Sequence, residues 1–113
     1  MKFTVSSAGE AVVAGRVLGQ SATYIDNATS IPWCVTFEAA DSGAEVTCWA
    51  PGSAGVTVAA AGTIAAGDLL KVTTDGKVVA DNTPTSGEWV AGWALSAGAS
   101  GTSVVIAFCP YIA

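Results

Sequence analysis

The chain has 113 residues, of which 12% are charged, a net charge of −5, a sequence pI of about 4.2 and no histidine. Its four basic residues are scattered, so they build no stripe for nucleic-acid phosphates. Without histidine neither a Cys/His zinc site nor a Ser-His-Asp triad can form within one chain, and no cofactor or metal is expected. So few charges cannot cover a monomer in the usual way, which points to burial against other subunits in a homo-oligomer or lattice.

Helical periodicity is weak, and short alternating apolar runs are separated by Gly, Ser, Asn and Pro. Residues 2–5 read as a first strand. Glu10–Val13 and Arg16–Gly19 flank Ala14-Gly15 and read as a tight hairpin. In Trp33–Phe37, the side chains of Trp33, Val35 and Phe37 share one face, opposite Cys34, Thr36 and Glu38. In Ala44–Ala50, Val46 and Cys48 point one way, while Glu45, Thr47 and Trp49 point the other. Residues 51–65 contain a further strand at Gly55-Val56-Thr57-Val58. Asp68–Thr74 and Lys77–Asp81 flank Asp75-Gly76, a type I′ hairpin signal because both central residues need positive φ. Asn82–Gly87 is a polar loop. Trp89, Trp93 and Leu95 then share one parity, and Val104, Ile106 and Phe108 share the core parity of a last strand.

Nine or ten short strands predict an all-β fold, a small β-barrel or sandwich of short antiparallel strands, with residues 1–113 as a single β domain. Trp33, Trp89 and Trp93 fall at core parity, which leaves Trp49 as the tryptophan expected at an interface. Cys34, Cys48 and Cys109 contain no C-x-x-C pair and read as small buried hydrophobes. Lys2 is followed by Phe-Thr-Val-Ser-Ser rather than an apolar core, so no secretory signal is seen and synthesis in the cytoplasm is expected. The charge-free runs at 46–67 and 89–113 are broken by Gly, Ser, Thr and Pro, so no membrane span is expected.

An internal repeat runs through this pattern. Ser42-Gly43-Ala44-Glu45-Val46 is echoed 58 positions later by Ser100-Gly101-Thr102-Ser103-Val104. Ala8-Gly9-Glu10 is echoed by Ala66-Gly67-Asp68, and Ala14–Leu18, with a gap, by Asp75–Val79. Residues 8–50 and 66–109 then form two units. The offset maps Phe37 onto Leu95, Val46 onto Val104 and Trp49 onto Ala107. Shared inward residues would build the fold, and unshared outward ones such as Trp49 would choose the partner.

The sharpest catalytic candidate is Asp41-Ser42-Gly43-Ala44, which resembles the motif of a dimeric retroviral-type aspartic protease, where two carboxylates share a proton. Against it, the preceding Glu38-Ala39-Ala40 is no hydrophobic strand, and the echo at Ala99-Ser100-Gly101-Thr102 lacks the aspartate. A Ser-Gly turn between strands accounts for the motif without chemistry. The other competing function is a carbohydrate-binding β module stacking a sugar on Trp49.

The runs Ala61–Val72, Asp75–Val79, Val90–Leu95 and Ser100–Ile106, with their "I-A-A-G-D", "D-G-K-V", "G-x-A-L" and "S-G-x-x-V" pieces in that order, resemble the capsid cement (decoration) proteins of tailed bacteriophages. The resemblance covers about half of the chain closely and departs at Tyr24–Trp33. It implies a non-enzymatic virion protein on the outer capsid surface. Such a protein would bridge neighbouring major capsid proteins against the pressure of packaged DNA, most often as a trimer. On this reading the candidate interface residues are Trp49, Phe3, Tyr111 and Ile112, with residues 1–7 and 111–113 as arms stitching the shell.

Overall fold

The computed structural model describes residues 2–5 and 7–113, so the expected arm at residues 1–7 lies outside the described residues at Met1 and Ser6. Nine strands follow in chain order: β1 (Lys2–Val5), β2 (Val17–Leu18), β3 (Cys34–Thr36), β4 (Val46–Trp49), β5 (Ser53–Ala59), β6 (Leu69–Val72), β7 (Val78–Ala80), β8 (Trp89–Ala94) and β9 (Ser103–Ile112). They form a small sheet of order β1-β4-β3-β2 and a large sheet of order β5-β9-β8-β6-β7. Every ladder is antiparallel. The fold is therefore all-β as expected, and of the two architectures it is sandwich-like, with no closed barrel.

The Asp75-Gly76 signal is realised between β6 and β7. Asp75 has φ 56° and Gly76 φ 70°, and Leu70 pairs with Ala80 across the hairpin. The hairpin expected at Ala14-Gly15 does not form. Val12 bridges Ala40 and Val17 pairs with Val35, so both flanks are drawn into long-range pairings. Gly15 itself ties the sheets together, donating its N–H to Thr36 O (2.9 Å) and accepting from Ala59 N (2.8 Å). A second tie is Gly76 N–H to Ile25 O (2.8 Å), and a Cβ at Gly76 would lie 2.5 Å from Val17 O.

The hydrogen-bond pattern of the small sheet recurs in the large one. Phe37 N donates to Thr47 O and Leu95 N to Val105 O, both at 2.8 Å. Gly15 N to Thr36 O and Thr36 N to Arg16 O recur as Gly67 N to Ala94 O and Ala94 N to Asp68 O. Ala8 exchanges bonds with Ala44 and Gly43 as Ala60 does with Thr102 and Gly101. The later half of each unit is thus related by 58 positions, as Ser42 is to Ser100. The earlier half is related by 52, as Gly15 is to Gly67, and not through the Ala8/Ala66 and Ala14/Asp75 anchors. The difference in length lies between Leu70 and Gly92, where the β6–β7 hairpin is inserted.

Two cores result. The main one combines Val17 and Val35 of the small sheet, and Ile25 of the β2–β3 connection, with Val56, Val58, Leu70, Val72, Val104, Ile106 and Phe108 of the large sheet. The second lies on the other face of the small sheet and joins Leu18, Cys34, Val46 and Cys48 to Ala8 and Val12, with Phe3, Tyr24 and Trp33 packed against it. Both faces of β3 are therefore buried, which is why Val35 and Cys34, of opposite parity, are equally inaccessible. Cys34 and Cys48 are free thiols. Their mutual hydrogen bond, with burial, pushes the Cys34 thiol well above its ordinary range, so Cys34 keeps its proton.

The core parity read for Phe37, Trp93 and Leu95 is corrected by the structure. They are 45%, 40% and 48% exposed. Trp93 and Leu95 look outward from the large sheet, whereas Phe37 keeps the inward face of Val35 but lies past the end of β3, packed on Trp49 at the rim of the main core. Trp33 and Trp89 are half-buried.

Candidate functional site

Strand alternation places Trp49 in a lateral row running Val17–Val35–Trp49–Lys2 across β2, β3, β4 and β1. Trp49 is half-buried and packs against the main core. Its ring meets that of Phe37 nearly at right angles (centroids 5.6 Å apart, 77°), a favourable edge-to-face geometry. The Lys2 ammonium lies 4.0 Å from the Phe37 centroid and 5.3 Å from that of Trp49. An exposed cation over two aromatic rings contributes about 0.5–1 kcal/mol. Beside these rings a groove of about 260 Å³ opens where the sheets meet, lined also by Thr36, Gly55, Thr57 and Ser103.

The other sequence-derived interface residues are elsewhere. Phe3 pairs with Cys48, one step along β1 from the Lys2–Trp49 pair, so it faces the opposite side of the sheet. Its ring packs edge-on to Trp33 (5.6 Å, 79°) over the second core. Tyr111 and Ile112 belong to the large sheet, at the end of β9, where they pair with Val90 and Trp89 beyond the last β5 partner at Phe108. Both are exposed, Ile112 most of all at 57%. The structure therefore joins Trp49 with Lys2 and Phe37, not with Phe3, Tyr111 or Ile112. Composition hid Lys2 among four scattered cations, and Phe37 was assigned inward.

Asp41 sits in an exposed turn closed by Ala44 N to Asp41 O (3.0 Å), with Gly43 at φ 83°. Its counterpart closes by Thr102 N to Ala99 O (3.1 Å), with Gly101 at φ 85°. The same turn forms with and without the carboxylate, so the Ser-Gly is accounted for by backbone geometry.

A larger polar groove of about 460 Å³ is lined by residues of the 19–31 segment, including Gln20, Ser21, Thr23 and Asn27. The Asn27 amide oxygen is already engaged, accepting from the backbone N–H and hydroxyl groups of Thr29 and Ser30. Among the described residues no group of three or more His, Cys, Asp or Glu is arranged to hold a metal ion, and no helix is long and apolar enough to cross a membrane.

No curated protein matches the chain by sequence. Among solved structures, it is similar to the head fiber gp8.5 N base of bacteriophage phi29, with a TM-score of 0.75 and 26% identity over 96% of this chain and 92% of that one. That neighbour, a phage head component, shares the fold almost end to end. The sequence matches the family of phage cement proteins over residues 2–108, nearly its whole length, and the chain belongs to that family.

Proposed function

We propose that this protein binds the outer surface of a phage capsid as a homotrimer and cements neighbouring major capsid proteins, holding the head against the pressure of packaged DNA. A structural, capsid-associated phage role follows from the family and the head-fiber neighbour. The observation that carries the finer reading is the family match over residues 2–108, reinforced by the low charge of the chain. Trp49 with Lys2 and Phe37, and the exposed Tyr111 and Ile112, are the proposed capsid contacts. Phe3 lies on the opposite side of the small sheet, packed on Trp33, apart from these contacts. The protein is made in the host cytoplasm and joins the virion there.

The mechanism is linkage. A protein that binds the assembled lattice and not its separated subunits stabilises the lattice by RT ln(1 + [L]/Kd) at each site, and repeated sites add avidity. Purified protein added to undecorated heads should bind saturably and raise their resistance to heat and chelators. Absence of binding, together with normal particles when the gene is deleted, would falsify the reading.

A further inference from the structure

We infer that the outer face of the large sheet, centred on Trp93 and Leu95, is the surface through which copies of this chain associate. The repeat supplies the first reason. The row Val17–Val35–Trp49–Lys2 of the small sheet corresponds, strand for strand, to Leu69–Trp93–Ala107–Ala54 in the large sheet. In the small sheet this row lies against the apolar interior of the large one: Val17 and Val35 are fully buried and Trp49 packs on the same core. The same face of the fold is thus already seated on an apolar sheet once within the chain. In its second version Ala107 is still buried, but the rest of the row is not seated on a sheet. Trp93 is 40% exposed, and the adjoining Leu95 and Val105 are also exposed.

The arrangement also selects the kind of occupant. Stacking outer face onto inner face could in principle continue from copy to copy into a filament. Here it cannot, because the free face of the small sheet is closed by Ala8, Val12, Phe3 and Trp33 over the second core. The outer face is left to meet the outer faces of further copies around a symmetry axis. Charge fits this. The edge of the face carries Lys71 and Asp81, paired at 3.3 Å, one of each sign, so copies of a chain with net charge −5 meet there without like-charge repulsion. Area fits too. A stable contact needs about 800 Å² per partner, roughly a sixth of the 5116 Å² surface, and a broad face of a 36 × 26 × 23 Å body supplies that. The inference rests on the cement reading only for the number of copies, three.

Sedimentation velocity of the full chain tests it. The wild type should sediment as an oligomer. Trp93→Ser and Leu95→Glu should each weaken association by about thirtyfold or more, while Ile31→Ser, an exposed apolar residue off the sheets, leaves it unchanged. If Trp93→Ser does not fold, judged by circular dichroism, Leu95→Glu decides. A monomeric wild type, or variants that associate as well as it does, overturns the inference. So does a wild type whose only change with these substitutions is weaker binding to heads, since the capsid would then occupy the face. A wild type that associates through Trp93 yet decorates no head upholds the inference and removes the cement reading.

Discussion

The small and large sheets follow one strand plan and bury it differently. In the small sheet both faces are covered, one by the large sheet and the other by the residue 7–16 and 19–33 segments. In the large sheet the inner face is covered, while the outer face leaves Trp93, Leu95 and Val105 exposed. Equivalent positions consequently carry different chemistry: Val35 is inaccessible where Trp93 is exposed, and Cys34 buries a side chain where Gly92 has room for none. What a residue does in this fold is set by what lies over it, not by its place in the strand.

The largest expected break in this comparison is at Gly92. It pairs with Leu70 as Cys34 pairs with Leu18, but the β8–β9 ladder shifts register beside it. Gly92 has φ 143°, and a Cβ there would lie 1.9 Å from the Ala107 carbonyl oxygen. Gly92→Ala should cost at least about 3 kcal/mol or prevent folding, whereas Cys34→Ala, a small truncation, costs about 1 kcal/mol. Urea denaturation of the two variants gives the contrast directly, and equal losses would mean the bulge is not a fixed feature of the large sheet.

Next comes the pair Val35 and Trp93. Val35→Ala opens a gap in the main core and should cost about 2 kcal/mol. Trp93→Ala removes far more atoms, yet from an outer face, and should cost less than about 1 kcal/mol when measured dilute enough for the chain to be monomeric. A larger loss at Trp93 than at Val35 would show that the outer face packs against its own chain.

Much of this plan was legible in the sequence. Alternation located β1, β3, β4 and β5, and Asp75-Gly76 located the β6–β7 turn, because period-two patterning and positive-φ turn chemistry are local. The repeat was legible in its later half, where Ser42-Gly43 and Ser100-Gly101 occupy the same turn. Its earlier half was misaligned, since the inserted hairpin shifts the offset and Ala/Gly-rich segments match in several registers. Direction was the main loss. Trp93 and Leu95 are apolar and in phase, and alternation reports which residues share a face but not which face is covered. That depends on the second layer. Trp49 was read as an outward residue, yet it lies on the face turned to the large sheet and packs on the main core. Its contacts with Lys2 and Phe37 were not read, since a cation placed on a ring from another strand leaves no trace in spacing.

A finer contrast is that cation. Lys2 lies over Phe37 and Trp49, while its counterpart in the large sheet is Ala54. Lys2→Gln keeps the polarity and much of the length of the side chain and removes the charge. It should lower stability by about 0.5–1 kcal/mol and change Trp49 fluorescence, whereas Ala54→Gln should change neither. An unaltered emission spectrum in Lys2→Gln would mean that the ammonium does not sit over the rings in solution.

The smallest contrast is between Arg16 and Asp68, which hold equivalent backbone positions and carry opposite charges. Arg16 reaches across to the Asp75 carbonyl (Nη1 to O, 3.1 Å) and lies over Tyr24. Asp68 instead closes its own turn, accepting from Ala65 N–H (2.9 Å) and from the Asn82 side-chain amide (3.0 Å). Those two donors, the backbone N–H foremost, hold the Asp68 carboxyl below its ordinary value of 3.8. A carboxylate whose folded value is depressed contributes stability above its unfolded value, and that contribution is lost as pH falls through the folded one. Asp68→Asn should therefore flatten the acid limb of a stability–pH curve below about pH 4, by a small amount because the turn lies at the surface, where solvent screens the carboxylate. The charge of arginine is constant over that range, so Arg16→Gln should shift the whole curve without changing its acid slope. Melting temperatures of both variants, taken from neutral pH downward, separate the two. If Asp68→Asn leaves the acid slope as it is in the wild type, the turn is held by its backbone alone and the two sheets differ less at this position than their charges imply.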